Sequence, residues 1–476
     1  MTLVARQPRD TRAVGRVATL RSALTAWLGR PLADFHLILA VFGLLTAIGL
    51  VMVLSASTVE SYTADGSAYA VFQKQLVYAA VGIVLFWIAL RVPLRRMRYL
   101  SSAAILFSVV TLVLVLLIGT KVNGGKHWIR IGPLSYQPVE FAKLALALWG
   151  AHVLVTKRAL LHQYRHLLVP VVPIALLMFA LVMVQPDLGS TVTLMVVLVS
   201  LLWFVGAPMR LFGVIAAGIL AGVVVLAIGA TYRLARVLSF INPDADPDAA
   251  YQAKQALFAL AEGGLLGKGL GQGSAKWRYL PNVHNDFIFA VIGEELGFLG
   301  CLVVLGLFGL LAVIGLRIAM RNTDPWIRLV AGTLTVWLVA QAAINIGYVV
   351  GLLPVTGLTL PLISSGGTSL AVTMLVMGVL ANCARHEPEA VAALRSHGPG
   401  RVGGLLKLPA PEPYRPLGRR KPGRPSTPPR GPGRPTGATA RANTAQLMDE
   451  RRRQRRPTAQ SDPYRPSPRS SGSRRR

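Results

Sequence analysis

Asp286 closes the run His284-Asn285-Asp286 and stands directly before the apolar stretch Phe287-Ile288-Phe289-Ala290-Val291-Ile292. A carboxylate at a membrane boundary invites a chemical explanation. It competes with a structural one, because Asp is a favoured N-cap residue and a helix is predicted from Phe287. The residues before it, Arg278-Tyr279-Leu280-Pro281-Asn282-Val283, contain a Pro and an Asn that shape a turn toward the bilayer. Lys254, Lys268, Lys276 and Arg278 share this connection, and such cations attract a pyrophosphate or an anionic lipid headgroup. Glu140 and Lys143 lie three apart in an apolar run, on one helical face, where opposite charges partly offset each other. Ionisable groups at membrane depth cost about 2.5 to 3.5 kcal/mol and therefore face a protein interior or a water-filled cavity. Two readings of this pair stand side by side: a self-neutralising structural pair, or a Lys143 that meets an anionic headgroup while Glu140 orients it.

The glycine cluster Gly263-Gly264-Leu265-Leu266-Gly267-Lys268-Gly269-Leu270-Gly271-Gln272-Gly273-Ser274 invites comparison with nucleotide-binding loops. It fails: a Walker loop needs Gly where Glu262 stands and Ser or Thr where Gly269 stands, and the dinucleotide fingerprint needs a preceding strand and other spacing. The residues before it, 251 to 261, instead predict a short helix at the membrane interface, capped by Gly263 or Gly264. Glu294 and Glu295 are adjacent, so they cannot share one face, and structural pairing is the favoured reading for both.

These residues belong to a chain of 53% hydrophobic residues with a mean hydropathy of +0.52, too apolar for a soluble protein. Runs of about 20 mostly apolar residues predict ten spans, near 36–56, 74–92, 101–119, 139–156, 167–185, 189–206, 210–231, 287–316, 328–352 and 367–384. More than half of the net charge of +30 sits in the basic tail from residue 385. Cys301 and Cys383 both lie in apolar runs, which excludes a disulfide framework or a thiolate metal site. Lys and Arg flanking the spans place both termini in the cytoplasm. The 120–138 connection is assigned outside despite Lys121, Lys126 and Arg130. Four unusual polar segments then share the outer side: the 120–138 loop, the join at Gln185-Pro186-Asp187, the connection ending at Asp286, and the join from Leu353 to Ser369.

The chain resembles the SEDS family (shape, elongation, division and sporulation). The resemblance covers about residues 36 to 385. It rests on Val122-Asn123-Gly124 with Trp128-Ile129, Gln137-Pro138 with Glu140 and Lys143, and Gln185-Pro186-Asp187-Leu188-Gly189. Further matches are Tyr251-Gln252 with the glycine cluster, Tyr279-Leu280-Pro281 through Asp286 to Ala290, Gly293-Glu294-Glu295-Leu296-Gly297, and Gly357-Leu358-Thr359-Leu360-Pro361-Leu362-Ile363-Ser364. The last stretch is more similar to the division branch than to the elongation branch. Two positions depart: His127 stands where the family commonly has Arg, and Ser365 where it commonly has Tyr.

The resemblance implies an all-α polytopic membrane protein of ten helices with a large extracytoplasmic connection between helices 7 and 8. It implies polymerisation of lipid II into glycan strands at the division septum, with Asp286 as general base and undecaprenyl pyrophosphate released. Glu140, Lys143, Lys276, Arg278, His284, Asp187 and Lys126 are the candidate substrate-binding residues. A positioned carboxylate contributes about 10² to 10⁴ in rate. One carboxylate suffices, since a pyrophosphate leaving group needs no protonation. No cofactor is required by the sequence; a divalent cation, Mg or Mn, is left open, with no ligand cluster to hold it. The competing functions are a lipid II flippase, an elongation-type polymerase and a non-catalytic scaffold.

The expected partners are lipid II, the nascent glycan strand, a class B penicillin-binding transpeptidase and other division proteins. The domains read as a basic cytoplasmic segment at 1–35, the membrane domain at 36–385, and a disordered Pro/Gly/Arg-rich cytoplasmic tail at 386–476. The tail is expected to hold to anionic lipids, with an acidic division partner as a further expectation. Nucleic acid is not an expected ligand, because the tail lacks interleaved aromatics.

Overall fold

The computed structural model describes residues 29–122, 125–132, 134–229, 247–274, 277 and 283–414. The helices are α1 (Ala33–Asp65), α2 (Ala70–Arg91), α3 (Leu94–Ile118), α4 (Pro138–Thr156), α5 (Tyr164–Leu168), α6 (Val171–Val184), α7 (Leu188–Val205) and α8 (Met209–Gly229). They continue as α9 (Pro247–Gly263), α10 (Ile288–Arg321), α11 (Pro325–Val349), α12 (Thr368–Arg385), α13 (Pro388–His397) and α14 (Gly400–Leu405). Among the described residues, eight helices are long and apolar enough to cross a membrane: α1, α2, α3, α4, α7, α10, α11 and α12. The chain is therefore a polytopic membrane protein. Burial sorts these helices by position, because a helix apolar all round is either enclosed or faces lipid. The apolar windows of α12, α4 and α11 are 94%, 72% and 67% buried, against 22% and 33% for α2 and α3. The first three form the interior; α2 and α3 turn Leu76, Val84, Leu106 and Leu117 outward.

One departure from the expected all-α chain lies in the 120–138 connection. It carries a three-stranded antiparallel sheet, β1 (Thr120–Val122), β2 (Gly125–Ile131) and β3 (Leu134–Tyr136), in register Thr120↔Trp128 and Ile129↔Tyr136. Trp128, Ile129 and Ile131 favour strand, and Gly132 supplies the left-handed turn at φ 62°. So short a sheet depends on docking. The Tyr78 hydroxyl accepts from the Ser135 N–H at 2.7 Å, and the Thr368 hydroxyl donates to the Ser135 carbonyl at 2.7 Å.

The glycine cluster has a backbone task. Helix α10 breaks at Gly297 (φ 70°, ψ −168°), so the amides of Phe298 and Leu299 lose the carbonyls of Glu294 and Glu295. The glycine loop supplies both halves of the exchange. Phe298 and Leu299 donate to the carbonyls of Gly264 and Leu265, while Lys268 and Gly269 donate to those of Glu294 and Glu295. These two amides and two carbonyls are thereby re-bonded, as burial demands. The splice needs backbone-to-backbone approach: a Cβ on Gly267 (φ 80°) would collide with the Glu295 carbonyl, whereas Gly264 (φ 56°) has open space. The two glutamates serve it from opposite sides, as their adjacency requires. The Glu294 carboxylate accepts from the Ser274 hydroxyl at 2.8 Å, and Glu295 accepts from Ser55 at 2.6 Å.

The ordered body extends beyond the boundary drawn at residue 386. Helices α13 and α14 follow α12, with Ala390, Val391, Leu394 and Leu408 buried. A polar cluster lies at the root of this arm: Arg317 lies 3.3 Å from Asp34, and Arg321 lies 3.9 Å from both Glu387 and Glu389. The Arg385 guanidinium also donates to the Pro409 carbonyl at 2.8 Å. The short, Ala- and Gly-rich helices carry little local signal, which is why their composition reads as tail. The expected disorder of 415–476 and the basic segment 1–28 lie outside the described residues.

Two outcomes follow from these contacts. Gly267→Ala should lower thermal stability by about 2 kcal/mol or more, since left-handed strain and a backbone collision add. Gly264→Ala should cost only the left-handed strain of about 1 kcal/mol; equal losses in detergent-based unfolding would refute the splice. The second concerns Glu387, whose carboxyl is pushed up to about 8 by burial and by the Asp34 carboxylate, against the pull of Arg321 and Arg317. A raised carboxyl holds its proton more tightly docked than released, so its contribution to docking is fully present below about pH 4.5 and lost as pH rises through about 8. Hydrogen exchange in α13 and α14, corrected for intrinsic rates, should accelerate between pH 6 and 9 in wild type and change less in Glu387→Gln.

Candidate active site

The four polar segments meet. The Gln137 side chain donates to Asp187 at 3.4 Å, and the Gln137 N–H donates to the Thr368 hydroxyl at 3.3 Å. A Cβ on Gly189 would stand 2.7 Å from the Thr356 carbonyl, so only glycine lets the start of α7 lie against the 353–367 segment. The Ser365 N–H donates to the His284 carbonyl at 2.9 Å. A Cβ on Gly357 (φ 72°) would come 3.7 Å from the Asp286 Oδ2. The carboxylate thus stands over a glycine of the facing loop.

Asp286 does not cap the helix that follows. Helix α10 begins at Ile288 behind an N-cap Phe287 that makes no side-chain cap bond. The Asp286 carbonyl is bound instead from α11, at 2.9 Å from the Asn345 Nδ2 and 2.8 Å from the Tyr348 hydroxyl. The same two groups reach the Leu358 carbonyl at 2.6 and 2.7 Å. One turn earlier, the Gln341 amide donates to the Thr359 carbonyl at 3.0 Å. Across the loop, the Gln75 amide donates to the Ser364 carbonyl at 3.3 Å. Leu362, buried at φ 65°, adds left-handed strain in a segment pressed against Gly49, where a Cβ would lie 2.5 Å from the Leu362 carbonyl.

Lys143 is fully buried and its contacts are internal. Its ammonium lies 2.9 Å from Glu140 and 3.3 Å from the Gln341 Oε1, with the Trp337 ring centroid at 5.1 Å. Gln341 also accepts from the Trp337 indole at 2.9 Å. A polar line therefore runs from Lys143 through Gln341 to the 357–359 backbone, and continues along α11 through Asn345 and Tyr348 to Asp286. In this conformation the Glu140–Lys143 pair is tied through Gln341 to the loop backbone.

The remaining candidates divide. His284 is buried, with its Nδ1 3.0 Å from the Glu60 carboxylate at the end of α1. Asp187 is the N-cap of α7, accepting from the Ser190 N–H at 2.9 Å. The Lys126 ammonium caps α3, donating to the carbonyls of Leu116 and Leu117 at 3.0 and 3.1 Å. Lys268 pairs with Glu262, whose hydrogen bond raises the ammonium's hold on its proton, and lies 3.4 Å from Glu294. Lys254 rests over the Phe258 ring at 5.8 Å. Lys276 and Arg278 lie outside the described residues. Among the described residues, no three His, Cys, Asp or Glu side chains gather as a metal site.

Gln341, Asn345, Tyr348 and Glu60 belong to none of the polar segments that stand out in the sequence. The first three carry one signal, their spacing of four and three along a helical face within an apolar span. Glu60 carries none, since its partner lies far away in the chain.

Comparison with known proteins gives a consistent result. Residues 35–389 match the family model FTSW_RODA_SPOVE, described as "Cell cycle protein". The chain is 52% identical to the probable peptidoglycan glycosyltransferase FtsW of Mycobacterium tuberculosis over 83% of this chain and 76% of that protein. It is 38% identical to stage V sporulation protein E of Bacillus subtilis, over 72% and 94%. Among solved structures, it aligns with a chain of a peptidoglycan synthase complex that coordinates polymerization and crosslinking, at TM-score 0.62 and 28% identity, covering 76% and 99%. The rod shape determining protein RodA of Thermus thermophilus aligns at TM-score 0.55 and 27% identity over the same shares.

Removing the Lys143 charge should be costly because Glu140 would remain buried and unpaired. Lys143→Met is expected to destabilise the protein by about 3 to 5 kcal/mol, and the double variant with Glu140→Gln by less. Thermal unfolding in detergent reads the difference; a double variant no more stable than the single would contradict the pairing.

Proposed function

The chain belongs to the FtsW/RodA/SpoVE family, and from that premise we propose that it is a peptidoglycan glycosyltransferase of the division type in which Asp286 is the general base. It polymerises lipid II into glycan strands. The 4-hydroxyl of the GlcNAc of lipid II attacks the anomeric carbon of the MurNAc that ends the growing lipid-linked chain. A new glycosidic C–O bond forms as the bond to the pyrophosphate breaks, and undecaprenyl pyrophosphate leaves with the electron pair. The hydroxyl proton passes to the Asp286 carboxylate, which makes the alcohol a competent nucleophile in the transition state. The leaving group accepts its charge without a second acid, so a single carboxylate is enough. Lys276 and Arg278 are the cations assigned to the pyrophosphate, where positive charge meets developing negative charge.

The observation that carries this reading is the release of Asp286 from helix capping. Its backbone is held by α11 while its carboxylate stands, partly exposed, against Gly357 of the facing loop. A residue kept only to start α10 would bond the first turn of that helix.

In the same reading the apolar helices α6 and α8 join the other eight to make ten crossings, with both termini cytoplasmic and Asp286 outside. The protein works at the division septum beside a class B penicillin-binding transpeptidase that crosslinks the strands. The basic tail holds to anionic lipids.

Purified protein in detergent, where no sidedness exists, is to be given labelled lipid II. Wild type should form glycan strands, and Asp286→Ala should lose about 10²-fold or more in rate. Lipid II movement across vesicles without polymer, unaltered in Asp286→Ala, would replace polymerisation with transport.

A further inference from the structure

We propose that Asn345 and Tyr348 are positioning residues for the reaction, a single buried clamp that fixes the Asp286 turn and the Gly357–Leu358 backbone relative to each other. The inference rests on the reading of Asp286 as the base. Both side chains are fully buried on α11. Between them they hold three protons to donate in hydrogen bonds, one on the Tyr hydroxyl and two on the Asn amide. The acceptors around them are the Asp286 carbonyl, the Leu358 carbonyl and the Tyr348 oxygen itself, which lies 2.6 Å from the Asn345 nitrogen. Three protons meet three acceptors. Neither carbonyl is served by a regular helix: Asp286 precedes the first residue of α10, and Leu358 lies in the segment between α11 and α12. The clamp therefore answers a backbone demand in two segments at once, and with the Ser365–His284 bond it joins them.

The reacting carboxylate sits at one end of this device. The Asp286 Oδ2 faces the site of Gly357, the residue before Leu358, so a shift of either carbonyl moves the base against the surface it faces. A displacement of about 1 Å in a reacting group costs roughly 10² in rate. The Tyr348 ring is independently located, edge-on to Phe287 at 5.8 Å and 76°. Replacing Tyr by Phe thus removes one proton from the clamp and leaves the packing in place.

Tyr348→Phe should lower kcat for lipid II polymerisation by about tenfold or more with KM changed less than about twofold, because the loss falls on alignment and not on substrate capture. Asn345→Ala should act likewise, and the double variant should lose little beyond the worse single, as residues acting as one unit do. Thr335→Val is the control. It removes a buried hydroxyl from the same helix, one that bonds only the Ala331 carbonyl of its own turn at 2.7 Å, and it should leave kcat unchanged. Thermal unfolding is measured on all four. A kcat loss confined to the clamp variants at unchanged stability supports positioning. Wild-type kcat in Tyr348→Phe overturns it, and so does a loss of activity that follows lost stability and appears equally in Thr335→Val. Failure of the underlying reading would show separately, as strand synthesis that persists in Asp286→Ala.

Discussion

Backbone that leaves the helical state inside a membrane bundle must find its hydrogen bonds within the protein, because hydrocarbon supplies none. The structure meets that constraint in two places, and the candidate site is the region between them. At the Gly297 kink, the glycine loop exchanges four backbone bonds with α10. Between α11 and α12, the carbonyls of Leu358, Thr359 and Ser364 are bound by Asn345, Tyr348, Gln341 and Gln75. Each solution requires residues of one type: glycines where backbones touch, and amides or a phenol where a carbonyl would be stranded.

Asp286 sits where these two solutions join. Its chain direction is set by the connection that ends in α10, its carbonyl is bound from α11, and its carboxylate faces the loop that α11 also holds. In the proposed reaction a base so placed loses little freedom as the transition state forms, which is the condition under which positioning contributes to rate. The buried Glu140–Lys143 pair extends the scaffold to α4 through Gln341. Charges of this kind inside a membrane protein are costly alone and tolerable as a pair, and here the pair also supports the loop.

Much of this was legible in the chain. Long apolar spans read correctly because length and composition are local properties; α4, α7 and α12 lie within a few residues of their predicted bounds. The convergence of the four polar segments followed from charge flanking and span parity, and Asp286 stood out because polar residues rarely end so abruptly at an apolar run. Other features depend on contacts that no local pattern records. The Lys126 ammonium reaches the carbonyls that end α3, a contact its place in the sequence does not announce. Glu60 had no signal without His284, and the three-residue strand β3 is docked by Tyr78 and Thr368 from distant helices. The arm at 388–405 has an unremarkable composition, and Asp34, Arg317 and Arg321 of distant helices lie at its root.

The proposal stands on a partly exposed carboxylate whose backbone is bound from α11. An Asp286→Cys variant reports on this directly, because Cys301 and Cys383 are buried and contribute little background. In right-side-out membrane vesicles, a membrane-impermeant maleimide should label position 286 from outside, and added lipid II should slow the labelling. Labelling that appears only once the inner face is exposed, or that lipid II leaves unchanged, would contradict the placement of the reaction at this residue.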